Sequence, residues 1–250
     1  MNVLKIINKY LIESQLWVSL LGTCLACFFM EEQKIFRYPT LLLIFITFFS
    51  GYLYTKYQSN KRLLYKVLPI NLLCGLVSVI LIFQNHNEIR LIKWATIIVI
   101  GLFYNSIFLS HVVRKIPLIK IFYVGLVWGL INSWLILPQF DFPIFSITFL
   151  YISALILPFD IRDVKNDTVL TFPKWIGIQN TKYLTYLLLF TTSVLSTYYL
   201  KFNFNLAIYF SCLITGLLTY HSKPENPKLY YSLLVELCVG LPFLFLLLLQ

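Results

Sequence analysis

Three aspartates crowd one short stretch, Leu157-Pro158-Phe159-Asp160-Ile161-Arg162-Asp163-Val164-Lys165-Asn166-Asp167. At roughly 100° per residue on a helix, Asp160, Asp163 and Asp167 fall within a sector of about 60°. Arg162 and Lys165 point to roughly the opposite side. Salt-bridged helix surfaces interleave opposite charges at i, i+4, whereas these carboxylates are grouped apart from the cations. Three like charges within about 10 Å of helix rise repel unless something positive joins them. A hard divalent cation meets that need, Mg²⁺ above all, because it binds through one or two carboxylates together with substrate phosphates. Arg162, Lys165 and Lys174 lie close by in sequence, and Arg114 and Lys115 sit on an earlier basic loop. Guanidinium and ammonium groups of this kind contact phosphate oxygens. The plain alternative is a solvated acidic loop.

Membrane helices must hold these residues. Of 250 residues, 59% are apolar and only 12% are charged, against about 25% charged in soluble domains. Mean hydropathy is +0.80. Those values exclude a soluble enzyme, a disordered tail and a secreted disulfide scaffold. The apolar runs predict nine spans: Leu11–Met30, Thr40–Tyr57, Lys66–Phe83, Leu91–Ser110, Pro117–Leu137, Phe142–Phe159, Tyr183–Leu200, Phe204–Tyr220 and Tyr230–Leu249. Each can cross about 30 Å of hydrocarbon as a helix. No run alternates with period two, so a β-barrel is unsupported. The expected fold is all-α, a polytopic bundle of about nine transmembrane helices in one domain over residues 1–250. The first ten residues carry Lys5 and Lys9 and no cleavage site, as an interfacial lead-in would.

Fifteen of the 20 Lys and Arg fall in the N-terminus and alternate loops that share its side. The positive-inside rule then places the N-terminus in the cytoplasm and the C-terminus outside. The net charge of +10 reflects this bias, since no basic stretch lies outside short loops and helix ends. Nucleic acid is excluded as a partner on that ground. Polar residues inside spans are costly and mark a cavity or pathway. Glu13, Gln15, Asn105 and Glu236 fall in cytoplasmic halves, His111 lies just past one cytoplasmic end, and Asn132 is in an outer half. Together they predict a polar cavity open to the cytoplasm; singly, each also reads as an interhelical hydrogen-bond partner. The five cysteines (Cys24, Cys27, Cys74, Cys212 and Cys238) sit in apolar runs and read as buried small residues.

Arg162-Asp163-x-x-x-Asp167, then Thr171-x-Pro173 and Gly177, resembles the second aspartate-rich motif of the UbiA-type intramembrane prenyltransferases. Nine spans, a cytoplasmic N-terminus and a motif after span six are similar to that family, as is Arg114-Lys115-x-Pro117 before span five. The resemblance implies a bacterial cytoplasmic membrane protein that moves an isoprenyl group from a Mg²⁺-bound diphosphate to a lipophilic, membrane-soluble acceptor. It assigns Asp160, Asp163 and Asp167 to Mg²⁺, with Asp163 and Asp167 essential for catalysis. Arg114, Lys115, Arg162 and Lys174 would hold the diphosphate, and Gln15, Asn105, His111 and Glu236 would line the cavity. Mg²⁺ and basic groups would stabilise the leaving diphosphate as an allylic cation forms.

The family's first motif, N-D-x-x-D-x-x-x-D, belongs at the end of span two. Here that stretch is Ser50-Gly51-Tyr52-Leu53-Tyr54-Thr55-Lys56-Tyr57-Gln58-Ser59-Asn60, and no acidic residue occurs between Glu32 and Glu88. Two options follow. Lys56, with Tyr52, Tyr54 or Arg114, neutralises the diphosphate directly and leaves a one-metal site. Alternatively, the chain keeps the fold without the chemistry, binding isoprenoid lipid or supporting a membrane complex. Lys56 also has a plain reading as a snorkelling lysine at a helix end. A transporter is disfavoured by the lack of an inverted repeat of Gly/Pro-broken spans.

Overall fold

A computed structural model of the chain describes residues 12–58, 60–84, 87–105 and 116–250. They form an all-helical membrane bundle. In chain order the helices are α1 Leu16–Glu32, α2 Tyr38–Tyr57, α3 Lys61–Gln84 and α4 Glu88–Asn105. Then come α5 Ile119–Leu130, α6 Phe142–Asp163, α7 Phe172–Tyr199 and α8 Phe202–His221. The last, α9, runs over Tyr230–Leu249. Helices α2, α3, α6, α8 and α9 are long and apolar enough to cross a membrane unaided.

Successive helices pack side by side, and α9 returns to lie against α1, closing a ring. Helix α6 is the most enclosed of the five long apolar helices, wedged between α5 and α7, and α3 is the most peripheral. The close approach of α5 to α6 depends on Gly125 and Gly129. A Cβ on Gly125 would stand 2.5 Å from Ser153 Oγ, and one on Gly129 2.9 Å from the Phe145 ring. Small residues four apart let membrane helices meet at backbone distance.

Several polar side chains inside helices are satisfied locally. Thr185, Ser211, Thr215 and Thr219 each donate to the carbonyl four residues earlier, which lets α7 and α8 bury hydroxyls. Helix continuity breaks in two places. Past Leu130, α5 widens into a π turn, Ile131–Leu135, and Lys93 donates to three carbonyls at that end, of Trp134, Leu137 and Pro138, at 2.8–3.0 Å. Helix α9 opens with a π turn, Tyr230–Val235, and tightens to a 3₁₀ turn at Cys238–Gly240. There the Tyr151 hydroxyl donates to the Cys238 carbonyl at 2.6 Å, bonding a carbonyl at the irregular turn.

Two boundaries differ from the sequence reading. Pro158 does not end α6, which continues to Asp163; a membrane helix tolerates an internal proline where neighbours satisfy the freed groups. Helix α7 begins at Phe172, well before Tyr183. The polar stretch from Thr171 to Lys182 reads as loop by hydropathy, yet Pro173 in the first turn suits a helix start. Gly177, at φ +81°, then kinks the helix before it proceeds.

Candidate functional site

The acidic stretch sits where α6 runs out. Asp160 is 1% exposed on the last buried turn, and its Oδ1 lies 2.5 Å from Lys120 Nζ on α5. Asp163 closes the helix. Its two oxygens accept from Arg162 Nε at 2.8 Å and Nη2 at 2.7 Å. One further turn is made by the Asp167 N–H donating to the Asp163 carbonyl at 2.9 Å. Asp167 Oδ2 is buried without a hydrogen-bond partner, while Lys174 Nζ donates to the Asp167 backbone carbonyl.

The expected separation of carboxylates from cations is not what the side chains do. Arg162 leaves the helix on a different azimuth, but its guanidinium lies 5.2 Å from the Phe159 ring and 5.6 Å from the Tyr231 ring. From there the long side chain reaches the adjacent carboxylate bidentately. A helical wheel fixes where a Cβ points, not where a long guanidinium arm ends.

This donor set does not fit a resident Mg²⁺. The ion needs free carboxylate oxygens, yet Asp160 carries Lys120 and Asp163 carries Arg162. Among the described residues no three His, Cys, Asp or Glu side chains lie together closely enough to hold a metal. Asp167 Oδ2 alone is a buried carboxylate oxygen left without a partner.

Cations meet at a different place. A cavity of about 740 Å³ is lined by Glu13, Lys56, Tyr57, Arg162, Lys228 and Ser232, among others. Lys56 comes from the last turn of α2 and Arg162 from the last turn of α6. Lys56 Nζ donates to the Glu13 carbonyl at 2.7 Å, and Tyr57 Oη to the same oxygen at 3.1 Å. Glu236, on α9, interacts electrostatically with both Arg162 and Lys56 and also with Tyr52. The Tyr52 oxygen accepts from Trp128 Nε1 at 3.1 Å, leaving its own proton free to donate.

The remaining candidates fall elsewhere. The Gln15 side chain donates to the Ile12 carbonyl at 2.9 Å and is spent locally. Lys165 pairs with Glu225 at 3.1 Å on the surface. Buried Asn132 donates to the Trp128 carbonyl at 2.9 Å. The Asn105 side chain, His111, Arg114 and Lys115 lie outside the described residues. Sequence reasoning did not single out Lys120 or Lys228. Lys120 had no detectable signal, because its partner Asp160 is remote in sequence; Lys228 had only the loop charge count.

A second pocket adjoins on the other side of α2. It measures about 590 Å³ and is walled by α2, α3, α4 and α5, with Tyr52, Trp94 and Trp128 among its lining. Compared with known proteins, the chain matches no protein family, no curated protein and no solved structure.

Proposed function

We propose that this chain binds an isoprenyl diphosphate as a divergent prenyltransferase of the UbiA type, holding the diphosphate by side-chain cations at the cavity between the ends of α2 and α6. One observation carries the reading: Lys56 and Arg162, from the two helix ends where that family places its paired motifs, line a single cavity. Lys228 adds a third cation at its rim. A diphosphate entering there would offer Arg162 a second anionic partner besides Asp163 and would give the Lys56 ammonium a full countercharge in place of a carbonyl. Direct cation contact suits a site whose carboxylates are already paired.

In the transfer step, the bond between the allylic carbon and the diphosphate oxygen breaks, and its electron pair leaves with the diphosphate. Lys56 and Arg162 stabilise that developing charge. The acceptor's electron pair forms the new bond to carbon, and the acceptor loses one proton. Glu236, set between the two cations, is the nearby carboxylate to receive it. The membrane orientation follows from the charge bias of the loops, with the Lys56–Arg162 end in the cytoplasm.

A second reading is binding without transfer, which the engagement of Asp160 and Asp163 by their own cations favours. Both readings are tested with purified protein and a radiolabelled isoprenyl diphosphate, with and without Mg²⁺. Lys56→Met and Arg162→Met should each weaken binding about tenfold or more, because each removes a charge-assisted contact. Asp141→Asn should not, because Asp141 only caps α6 through Ile144 N at 2.8 Å. Diphosphate released with an acceptor present marks transfer. Binding that ignores both cation changes would refute the site.

A further inference from the structure

The pocket walled by α2–α5 is almost wholly apolar on three sides, but not on α3. Asn71, Cys74, Gly75 and Ser78 all line it from that helix, at the i, i+3, i+4, i+7 spacing of one helical face. Two of these groups lack partners. Ser78 is 1% exposed, and its Oγ makes no hydrogen bond. Asn71 Oδ1 is likewise buried and unbonded. A serine in a membrane helix ordinarily returns its proton to the preceding turn, as many here do. Ser78 does not. Burying a polar group unpaired costs about 1–3 kcal/mol, so two on one pocket wall mark a place where a ligand supplies the missing bonds.

We propose that this pocket binds a hydroxyl-bearing lipophile, an alcohol or phenol with an apolar body, whose O–H meets Asn71 or Ser78. The chemistry selects the class. Asn71 Oδ1 accepts only and needs a donor, which excludes hydrocarbons, ethers and carbonyl-only molecules. Ser78 Oγ takes either role. No cation lines the pocket, so a charged head has no countercharge there. The aromatic walls of Trp94 and Trp128 suit a flat or branched hydrocarbon body. The proposal rests on the prenyl-transfer reading only in naming this molecule the acceptor; the binding itself stands without it.

Cys74, between the two polar groups on the same face, is a built-in reporter. The intact protein in detergent is treated with a lipophilic maleimide, and alkylation of Cys74 is followed by peptide mass spectrometry. The competitors are a long-chain prenyl alcohol and the hydrocarbon of matching length, without any diphosphate. The alcohol should slow Cys74 alkylation at concentrations about fivefold or more below those the hydrocarbon requires, the value of one added hydrogen bond. Asn71→Leu with Ser78→Ala should abolish that difference and leave hydrocarbon protection intact. Equal protection by alcohol and hydrocarbon, or none by either, would overturn the proposal. Because no phosphate is present, failure here is distinct from failure of the diphosphate site.

Discussion

Lys120→Met tests whether the carboxylate at the heart of the acidic stretch is a structural partner or a metal ligand. Asp160 has 2% of its side chain exposed, while Lys120, 2.5 Å away, has 35%. Removing one member of a buried pair costs about 3–5 kcal/mol, because the other charge is stranded. Lys120 reaches partly into solvent, so screening reduces this to roughly 2 kcal/mol. In a chain of this size each 1 kcal/mol moves Tm by roughly 2–4 °C. Lys120→Met should therefore lower Tm by about 4–8 °C in detergent. Asp160→Asn strands only a lysine that can turn to water and should cost under about 1 kcal/mol. The double variant should be more stable than Lys120→Met alone, since it carries no orphaned carboxylate. Scanning fluorimetry of the four proteins, each with and without Mg²⁺, gives the full cycle. An unchanged Tm in Lys120→Met, or a Mg²⁺-dependent rise that Asp160→Asn alone abolishes, would refute the ion-pair assignment.

Gly125→Ala should destabilise by roughly 1–3 kcal/mol through overpacking, because its Cβ would meet Ser153 Oγ at 2.5 Å and the Phe149 carbonyl at 2.8 Å. Gly51→Ala, with nothing within 4 Å, should not lower Tm, and the same thermal scan reads both. The hydrogen bond from Lys165 holds the Glu225 carboxyl below its ordinary range. That pair's contribution is present above the ordinary carboxylate pKa and fades as pH falls through the lowered folded value. Both groups are surface-exposed, so Glu225→Gln should leave Tm at neutral pH unchanged and flatten only the acid end of the stability profile. Reporter fusions after Lys61, Lys120 and Lys182 should read cytoplasmic and one after Gln250 external; a cytoplasmic C-terminus would overturn the orientation.

The bundle was legible because hydrocarbon imposes one rule on every span: about 20 apolar residues, all backbone groups paired within the segment. The run Tyr230–Leu249 therefore matches α9 end to end. The start of α7 was hidden because Thr171–Lys182 is polar, and hydropathy reports burial in lipid rather than helicity. The ion pairs were hidden for another reason. Lys120 meets Asp160 only because Gly125 and Gly129 bring α5 against α6, which no local pattern encodes. The meeting of Lys56 with Arg162 depends on the ring closing, and the sequence suggested it only through the resemblance of the α6 motif. Ser78 looked like any membrane serine until the pocket beside it and its missing partner were visible together.

The most direct test is a structure of the protein bound to a non-hydrolysable isoprenyl thiodiphosphate. The diphosphate should sit in the cavity between α2 and α6, its oxygens within salt-bridge distance of Lys56 Nζ and the Arg162 guanidinium, with Asp160 still paired to Lys120. A diphosphate lodged away from both cations, or one bridged by metal to Asp160 with Lys120 displaced, would contradict the account.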